Sequence, residues 1–190
     1  MSRWEPDALG RLEQAAFALY AERGFDQTTA AEIAKRAGLT ERTFFRHYAD
    51  KREVLFGGSS VLQDHLVQAV ADEPDSAAPI DAISAALQST GRIFDERRER
   101  SRQRQAIIAA NPELQERELI KMSTIAAALT DALRRRGVHD TTASLAAEAG
   151  ITVFRMAFER WLVDTGPPDL ARHLRDSFAQ LKAVTADGTG

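Results

Sequence analysis

Residues Thr28–Arg52 read TTAAEIAKRAGLTERTFFRHYADKR, and this stretch decides the fold. Thr29 with Glu32 three residues later is the pairing in which a hydroxyl and a carboxylate each take the other's backbone N–H at a helix start. The helix that opens there carries Ile33, Ala34 and Ala37 on one face. Gly38 supplies the turn, because a residue without Cβ takes positive φ at little cost. Leu39 then plugs into the core, and Thr40 caps a second short helix from Glu41 to about His47. Two short helices across a glycine turn, the second rich in aromatic and basic residues, read as a helix-turn-helix.

Helical spacing turns Phe44 inward, opposite Arg42, Thr43, Phe45 and Arg46. A helix fits the major groove of B-DNA, and the residues near its N-terminus reach the base edges. Arg42 is suited to a bidentate pair with guanine, and Thr43 to a thymine methyl or a phosphate. Tyr48 and Lys51 offer a hydroxyl and an ammonium to phosphate at the next helix start, and Thr29 faces the other flank of the groove. The expected DNA-binding set is therefore Thr29, Thr40, Arg42, Thr43, Phe45, Arg46, His47, Tyr48 and Lys51. The bland alternative is a solvated Arg42–Arg46 pair beside an exposed core-edge aromatic.

Charge distribution supports the reading. From Ile33 to Arg52 six basic residues stand against two acidic ones, a local +4, while the chain as a whole carries −3; the remainder therefore carries −7. A basic patch on an acidic body holds a phosphate backbone at one place and repels it elsewhere.

Working outward, Asp7 caps a first helix with Leu9, Leu12, Ala16, Phe17 and Tyr20 at helical spacing, and Gly24 ends it. Asp50 and Glu53 form a second capping box that opens a fourth helix at Lys51, running to about Val70 with Gly57-Gly58 inside it. Two glycines within a helix cost about 1 kcal/mol each relative to alanine, so they imply close packing or a deformable joint. DEPDSAAP, from Asp72 to Pro79, reads as a linker. Further helices are expected from Ile80 to Arg97, Arg100 to Ala110, Pro112 to Arg136, from a cap at Asp140 through Leu162, and after Gly166-Pro167-Pro168. The fold expected is all-α with about nine helices. A helix-turn-helix domain takes residues 1–50, and a helical ligand-binding and dimerisation domain takes 51–190.

The same stretch carries a family resemblance. Ala16-Phe17…Gly24-Phe25, Thr28-Thr29-Ala30-Ala31-Glu32-Ile33-Ala34, Ala37-Gly38-Leu39, and Thr43-Phe44-Phe45-Arg46-His47-Tyr48 followed by Lys51 resemble the TetR family of bacterial transcription regulators. The likeness is strong over about 50 residues, and the rest matches in outline. Position 42 departs from the smaller residue often found there, so the base preference does not carry over. Arg97 to Arg136 and the FERWL stretch at 158–162 look like a subgroup with an acyl-CoA-like effector domain, seen in actinobacterial regulators including mycofactocin-type ones. The resemblance implies a homodimer built from the last two long helices as a four-helix bundle, acting as a repressor on a near-palindromic operator. Activation instead of repression stays open.

The helix from Asp140 is apolar around much of its circumference, which suits burial on two sides. Phe158, Trp161, Leu174, Phe178 and Leu181 are the interface candidates, with completion of the monomer core as the alternative. An effector pocket between helices would be lined by Leu62, Leu66, Leu87, Phe94, Ile107, Met122, Ile125, Phe154 and Phe158, each equally an ordinary core residue. Arg97, Arg98, Arg100, Arg102 and Arg104 form either a solvated face or an anchor for a phosphate or carboxylate head. The expected partners are double-stranded operator DNA, a second copy of the chain, and a small effector such as an acyl-CoA or fatty acid.

Other classes fit poorly. The absence of cysteine removes disulfides, zinc fingers and thiol catalysis, and suits a reducing cytoplasm. No pair among the four histidines has metal-ligand spacing, and no glycine-rich phosphate loop or nucleophile elbow is present, so neither enzyme chemistry nor a cofactor or metal is expected. No apolar run reaches the ~18 residues of a membrane span, and MSRWEPDALG lacks an apolar leader core. A protein-only adaptor that kept the helix-turn-helix shape is opposed by Arg42, Arg46, Tyr48 and Lys51.

Overall fold

The computed structural model describes residues 7–186, all of whose regular structure is helical. The helices are α1 (Ala8–Arg23), α2 (Ala30–Arg36), α3 (Glu41–His47), a 3₁₀ turn (Arg52–Leu55), α4 (Ser59–Asp72), α5 (Pro79–Ser89), α6 (Gly91–Asp95), α7 (Arg98–Ala109), α8 (Pro112–Arg135), α9 (Asp140–Val163) and α10 (Leu170–Ala186). The pair α5–α6 is the single helix expected over Ile80 to Arg97. It breaks only at Thr90, whose hydroxyl donates to the Leu87 carbonyl (2.7 Å) and so competes with the helical ladder. Among the described residues no helix is long and apolar enough to cross a membrane.

The chain divides into two compact units: residues up to Ser59 together with Gln103–Glu118, and Ser60–Arg102 together with the residues from Leu119 on. The boundary expected after residue 50 thus moves to Ser59, and the first unit also takes the α7–α8 turn. The physical reason is apolar: Ile108 and Leu114, both fully buried, complete a core made of Leu12, Phe17, Tyr20, Phe25, Ile33, Phe44, Val54, Leu55 and Phe56. Ion pairs reinforce it. Arg117 holds Glu53 (Nε to Oε1, 2.8 Å), and Arg104 bridges Glu118 (2.8 Å) and the Leu55 carbonyl (2.7 Å).

The fourth helix does not open at Lys51. Asp50 does accept from the N–H groups of Arg52 (2.8 Å) and Glu53 (3.2 Å), but one 3₁₀ turn follows, and Gly57-Gly58 lie in the turn before α4. A Cβ on Gly57 would stand 3.1 Å from the Tyr48 ring, so the glycine answers close approach at a corner rather than flexibility inside a helix.

In the second unit α9 packs against α5 and α10. Its small residues Ala143, Ala146, Ala147, Gly150 and Ala157 are buried, so backbones come close. At Gly150 a Cβ would lie 2.2 Å from Ile83 Cγ2, which only a missing side chain allows. Asp95 Oδ1 joins three helices, accepting from the Trp161 indole (2.8 Å) and from the N–H of Leu170 at the start of α10 (3.0 Å). Asp140 is not the side-chain cap of α9; its carboxylate takes Arg134 (Nε, 2.6 Å), and His139 holds the cap position.

Candidate nucleic-acid interface

The helix-turn-helix forms as local chemistry dictates. Thr29 Oγ1 accepts from the Glu32 N–H (3.2 Å) while Glu32 accepts from the Thr29 N–H (2.9 Å), closing the capping box. That backbone donor, with the Thr29 hydroxyl, holds the Glu32 carboxyl below the usual range. At the other end of α2 the N–H of Leu39 reaches the Ala34 carbonyl (2.8 Å) and that of Gly38 reaches Lys35 (3.0 Å), a Schellman motif that needs the positive φ of Gly38 (+69°). Thr40 Oγ1 then accepts from the Thr43 N–H (3.1 Å) and starts α3. Phe44 is fully buried, with its ring 5.4 Å from Phe45 and 5.6 Å from Tyr48.

The outward face of α3 carries a shallow concavity lined by Thr40, Arg42, Thr43, Phe45 and Arg46. Phe45 packs edge-on against Phe44 yet is 52% exposed, which leaves the rest of its ring usable by a base or sugar edge. Among the described residues Arg42 makes no ion pair, and Arg46 reaches only the ring of His47 (3.4 Å). Thr29 is exposed at the N-terminus of α2, its hydroxyl engaged in the capping box.

Two expected phosphate ligands lie elsewhere. Tyr48 is buried in the core of the first unit, because its ring closes over Phe44 and the Gly57 corner. The Lys51 ammonium turns inward and donates to the carbonyls of Phe25 (2.8 Å), Thr28 (2.9 Å) and Asp26 (3.3 Å). Other counted cations are also occupied. Arg36 forms a two-pronged pair with Glu22 (2.6 and 3.0 Å), and Arg52 pairs with Asp50 (2.7 Å). Of the six basic residues between Ile33 and Arg52, only Lys35, Arg42 and Arg46 stand clear of a carboxylate or carbonyl partner among the described residues. Lys35 was not singled out by sequence, although its place opposite Ile33, Ala34 and Ala37 on α2 marks it as outward-facing.

In the second unit Leu66, Leu87, Ile125 and Phe154 are buried, and Leu62, Phe94, Met122 and Phe158 pack half-buried against them. Phe94, Phe154, Phe158 and Trp161 form an aromatic cluster with centroids 5.3–6.4 Å apart. Ile107 is the exception among the expected pocket residues: it packs on the core of the first unit, with the α7–α8 turn. Trp161, Leu174 and Phe178 are buried in their own unit's core, so they do not form a free subunit face; Phe158 and Leu181 sit at its edge.

Within the arginine cluster Arg97 is exposed, whereas Arg98, Arg102 and Arg104 are neither a solvated face nor an open anion site. Arg98, almost wholly buried, donates to the carbonyls of Trp161 (2.5 Å), Gly166 (2.9 Å) and Asp164, and its guanidinium lies 5.5 Å from the Trp161 ring centre. Arg102 takes the Leu162 (2.7 Å) and Asp164 (3.1 Å) carbonyls. Those of Trp161, Leu162 and the cap Asp164 are the carbonyls a helix leaves unpaired at its C-terminus, where the macrodipole favours a cation, and Gly166 follows in the loop. Arg136 closes α4 in the same way, through Val70 (2.9 Å) and Glu73 (2.6 Å).

Comparison with known proteins places this geometry. Residues 13–56 match the model of bacterial regulatory proteins of the tetR family, and residues 77–186 match the MftR C-terminal domain. The chain belongs to the TetR family. This TetR-family regulator is 30% identical over 159 residues to a Mycobacterium tuberculosis protein described as a mycofactocin biosynthesis transcriptional regulator, MftR, covering 80% of this chain and 79% of that one. It shares 33% identity over 86 residues with the HTH-type transcriptional regulator TcmR of Streptomyces glaucescens, covering 45% of this chain and 38% of that one. Its fold is that of Thermus thermophilus FadR, a TetR-family repressor solved with lauroyl-CoA (TM-score 0.55, 23% identity, 91% of this chain and 92% of that one). SmeT, repressor of a Stenotrophomonas maltophilia multidrug efflux pump, is alike (TM-score 0.60, 20% identity, 94% and 90%). The chain is thus a DNA-binding transcriptional regulator of the TetR family, with a helix-turn-helix reader and an MftR-type second domain.

Proposed function

We propose that the protein is a homodimeric repressor that leaves a near-palindromic operator when an acyl-CoA or a similar apolar effector enters its second unit. The observation that carries the DNA-reading part is the outward face of α3, where Arg42 has no ion pair among the described residues and Thr43, Phe45 and Arg46 surround it. Arg42 reads a guanine, and Lys35 and Arg46 meet phosphates. Thr29 and Thr40 flank the groove. A protein that binds as a two-fold dimer reads half-sites about 34–36 Å apart, which makes the operator palindromic.

The dimer rests on α9. Its inner face is consumed by the core, yet Leu145, Met156 and Val163 stand exposed at 67, 47 and 78%. They recur at intervals of eleven and seven residues, so they share one outward stripe, and a second copy of the helix covers it. These three residues replace Trp161, Leu174 and Phe178 as the subunit face.

The effector class rests on the MftR-type match over residues 77–186, and on the fold shared with a repressor solved with lauroyl-CoA. Leu62, Phe94, Met122 and Phe158 line the half-buried side of the apolar cluster that an acyl chain would enter. Arg98 and Arg102 are held by backbone carbonyls, so they do not carry the headgroup. For a ~150-fold loss of DNA affinity the effector must favour the DNA-incompetent state by about 3 kcal/mol.

Fluorescence anisotropy on duplexes from the gene's own flanking region, with and without lauroyl-CoA, tests the reading. Salt-dependent binding to one palindrome that falls with lauroyl-CoA supports it. Selective binding indifferent to lauroyl-CoA rejects the effector class, and tighter binding with it makes the ligand a corepressor. No selective binding rejects the reader.

A further inference from the structure

We propose that Lys51 is a positioning residue of the DNA reader: its ammonium gathers the α1–α2 loop from inside and so sets how α2 and α3 are presented. The inference rests on the DNA-reading function above. An ammonium has three N–H donors and no acceptor. Here the three have three backbone carbonyls within reach, those of Phe25 (2.8 Å), Thr28 (2.9 Å) and Asp26 (3.3 Å). The same nitrogen stands 4.3 Å above the Phe25 ring, which adds a cation–π contact. Nothing is left over for a phosphate.

The loop so gathered leads straight into Thr29, the N-cap of α2. Lys51 lies on the segment that follows α3, so a single side chain ties the entry of the helix-turn-helix to its exit. The anchor is itself fixed. The Tyr20 hydroxyl, buried on α1, donates to the Lys51 carbonyl (2.6 Å), and Thr28 Oγ1 closes the loop onto the Gly24 carbonyl (2.9 Å). Burial, and then the nearby Asp50 charge, push the Tyr20 phenol far up, so it stays a donor at any working pH. With the loop tied to the Lys51 ammonium and α1 to the Lys51 carbonyl, the pitch of α2 against α3 depends on that residue, and its loop side on the ammonium.

The experiment compares wild type, Lys51→Met and Lys51→Arg in DNA affinity across a salt series and in amide hydrogen exchange over Thr28–Glu32, at a temperature where circular dichroism shows each folded. Lys51→Met keeps the stem and loses the charge. It is expected to bind operator at least tenfold more weakly, to keep the wild-type salt slope, and to exchange its Thr28–Glu32 amides at least tenfold faster. A direct phosphate contact predicts a slope shallower by about 0.9, and that result overturns the proposal. So does undiminished affinity in a folded variant, which makes the contact merely structural.

If Lys51→Met does not fold, Lys51→Arg decides. Its planar fork cannot direct three donors from one nitrogen to three surrounding carbonyls, so weakened binding with an unchanged slope is expected, and full affinity overturns the proposal. Should wild type bind no duplex selectively, the DNA-reading function fails on its own. The exchange arm still judges Lys51, since unchanged protection in the variants removes its hold on the loop.

Discussion

Replacing Arg98 by methionine separates two accounts of the arginine-rich segment. Arg98 is 9% exposed, and its guanidinium donates to the carbonyls of Trp161, Gly166 and Asp164, with the indole of Trp161 beneath it. Methionine keeps most of the stem and removes every donor. The Trp161 carbonyl lies in the buried part of the site, and leaving it unpaired costs about 1–3 kcal/mol. The other two carbonyls are partly exposed and recover water, so each loses only about 0.5–1 kcal/mol. Loss of the stacking adds about 0.5–1 kcal/mol, and freedom from burying a cation offsets part of the total. The net is about 3 kcal/mol. In a chain of this length each kcal/mol shifts Tm by about 2–4 °C, so scanning calorimetry should show a fall of about 6–12 °C. An arginine serving as a headgroup anchor would behave in the opposite way, because surface substitutions stay within about 0.5 kcal/mol. A Tm within about 2 °C of wild type, accompanied by loss of lauroyl-CoA response, refutes the capping account.

Three further outcomes follow from other contacts. Gly150→Ala puts a Cβ 2.2 Å from Ile83 Cγ2 and should cost about 1–3 kcal/mol by urea denaturation; Ile83→Ala in the same chain should be less damaging than it is alone, and strict additivity contradicts the clash. Asp164 is held below the usual carboxylate range by the Gly166 N–H and then by His173, so it binds a proton more readily unfolded than folded. Its stabilisation is therefore complete above about pH 5 and lost as pH falls through the lowered folded value, and the Tm gap between wild type and Asp164→Asn should close there; a gap independent of pH speaks against it. Arg42→Ala should cost about 1–3 kcal/mol on the operator and relax one base position, whereas equal losses on cognate and scrambled duplexes make Arg42 a backbone contact.

Capping and turn chemistry were legible in the sequence because they are local. Asp7, Thr29 with Glu32, Gly38 and Thr40 each act within a few residues of themselves, and each does in the structure what its type and spacing require. Helical periodicity likewise placed the long helices, since the side of a helix that is apolar depends on the sequence alone. The all-α fold and the outward face of α3 follow from those two signals, and together they point to a helix-turn-helix DNA reader; the TetR family itself rests on the motif resemblance and the matches over residues 13–56 and 77–186.

What the tertiary structure alone decided is where the cations go. Lys51, Arg36 and Arg52, counted as a basic patch, are spent on loop carbonyls, Glu22 and Asp50. Arg98, Arg102 and Arg136, which read as a charged run and a helix end, close the C-termini of α9 and α4 across sixty or more residues of sequence. The same holds for Ile107, Trp161 and Leu174, whose apolar character was plain but whose neighbours were not. The physical reason is reach. A long cationic side chain looks the same in sequence whether it ends in water, on a phosphate or on a carbonyl, and only the fold brings one of those partners within three ångströms of its nitrogen.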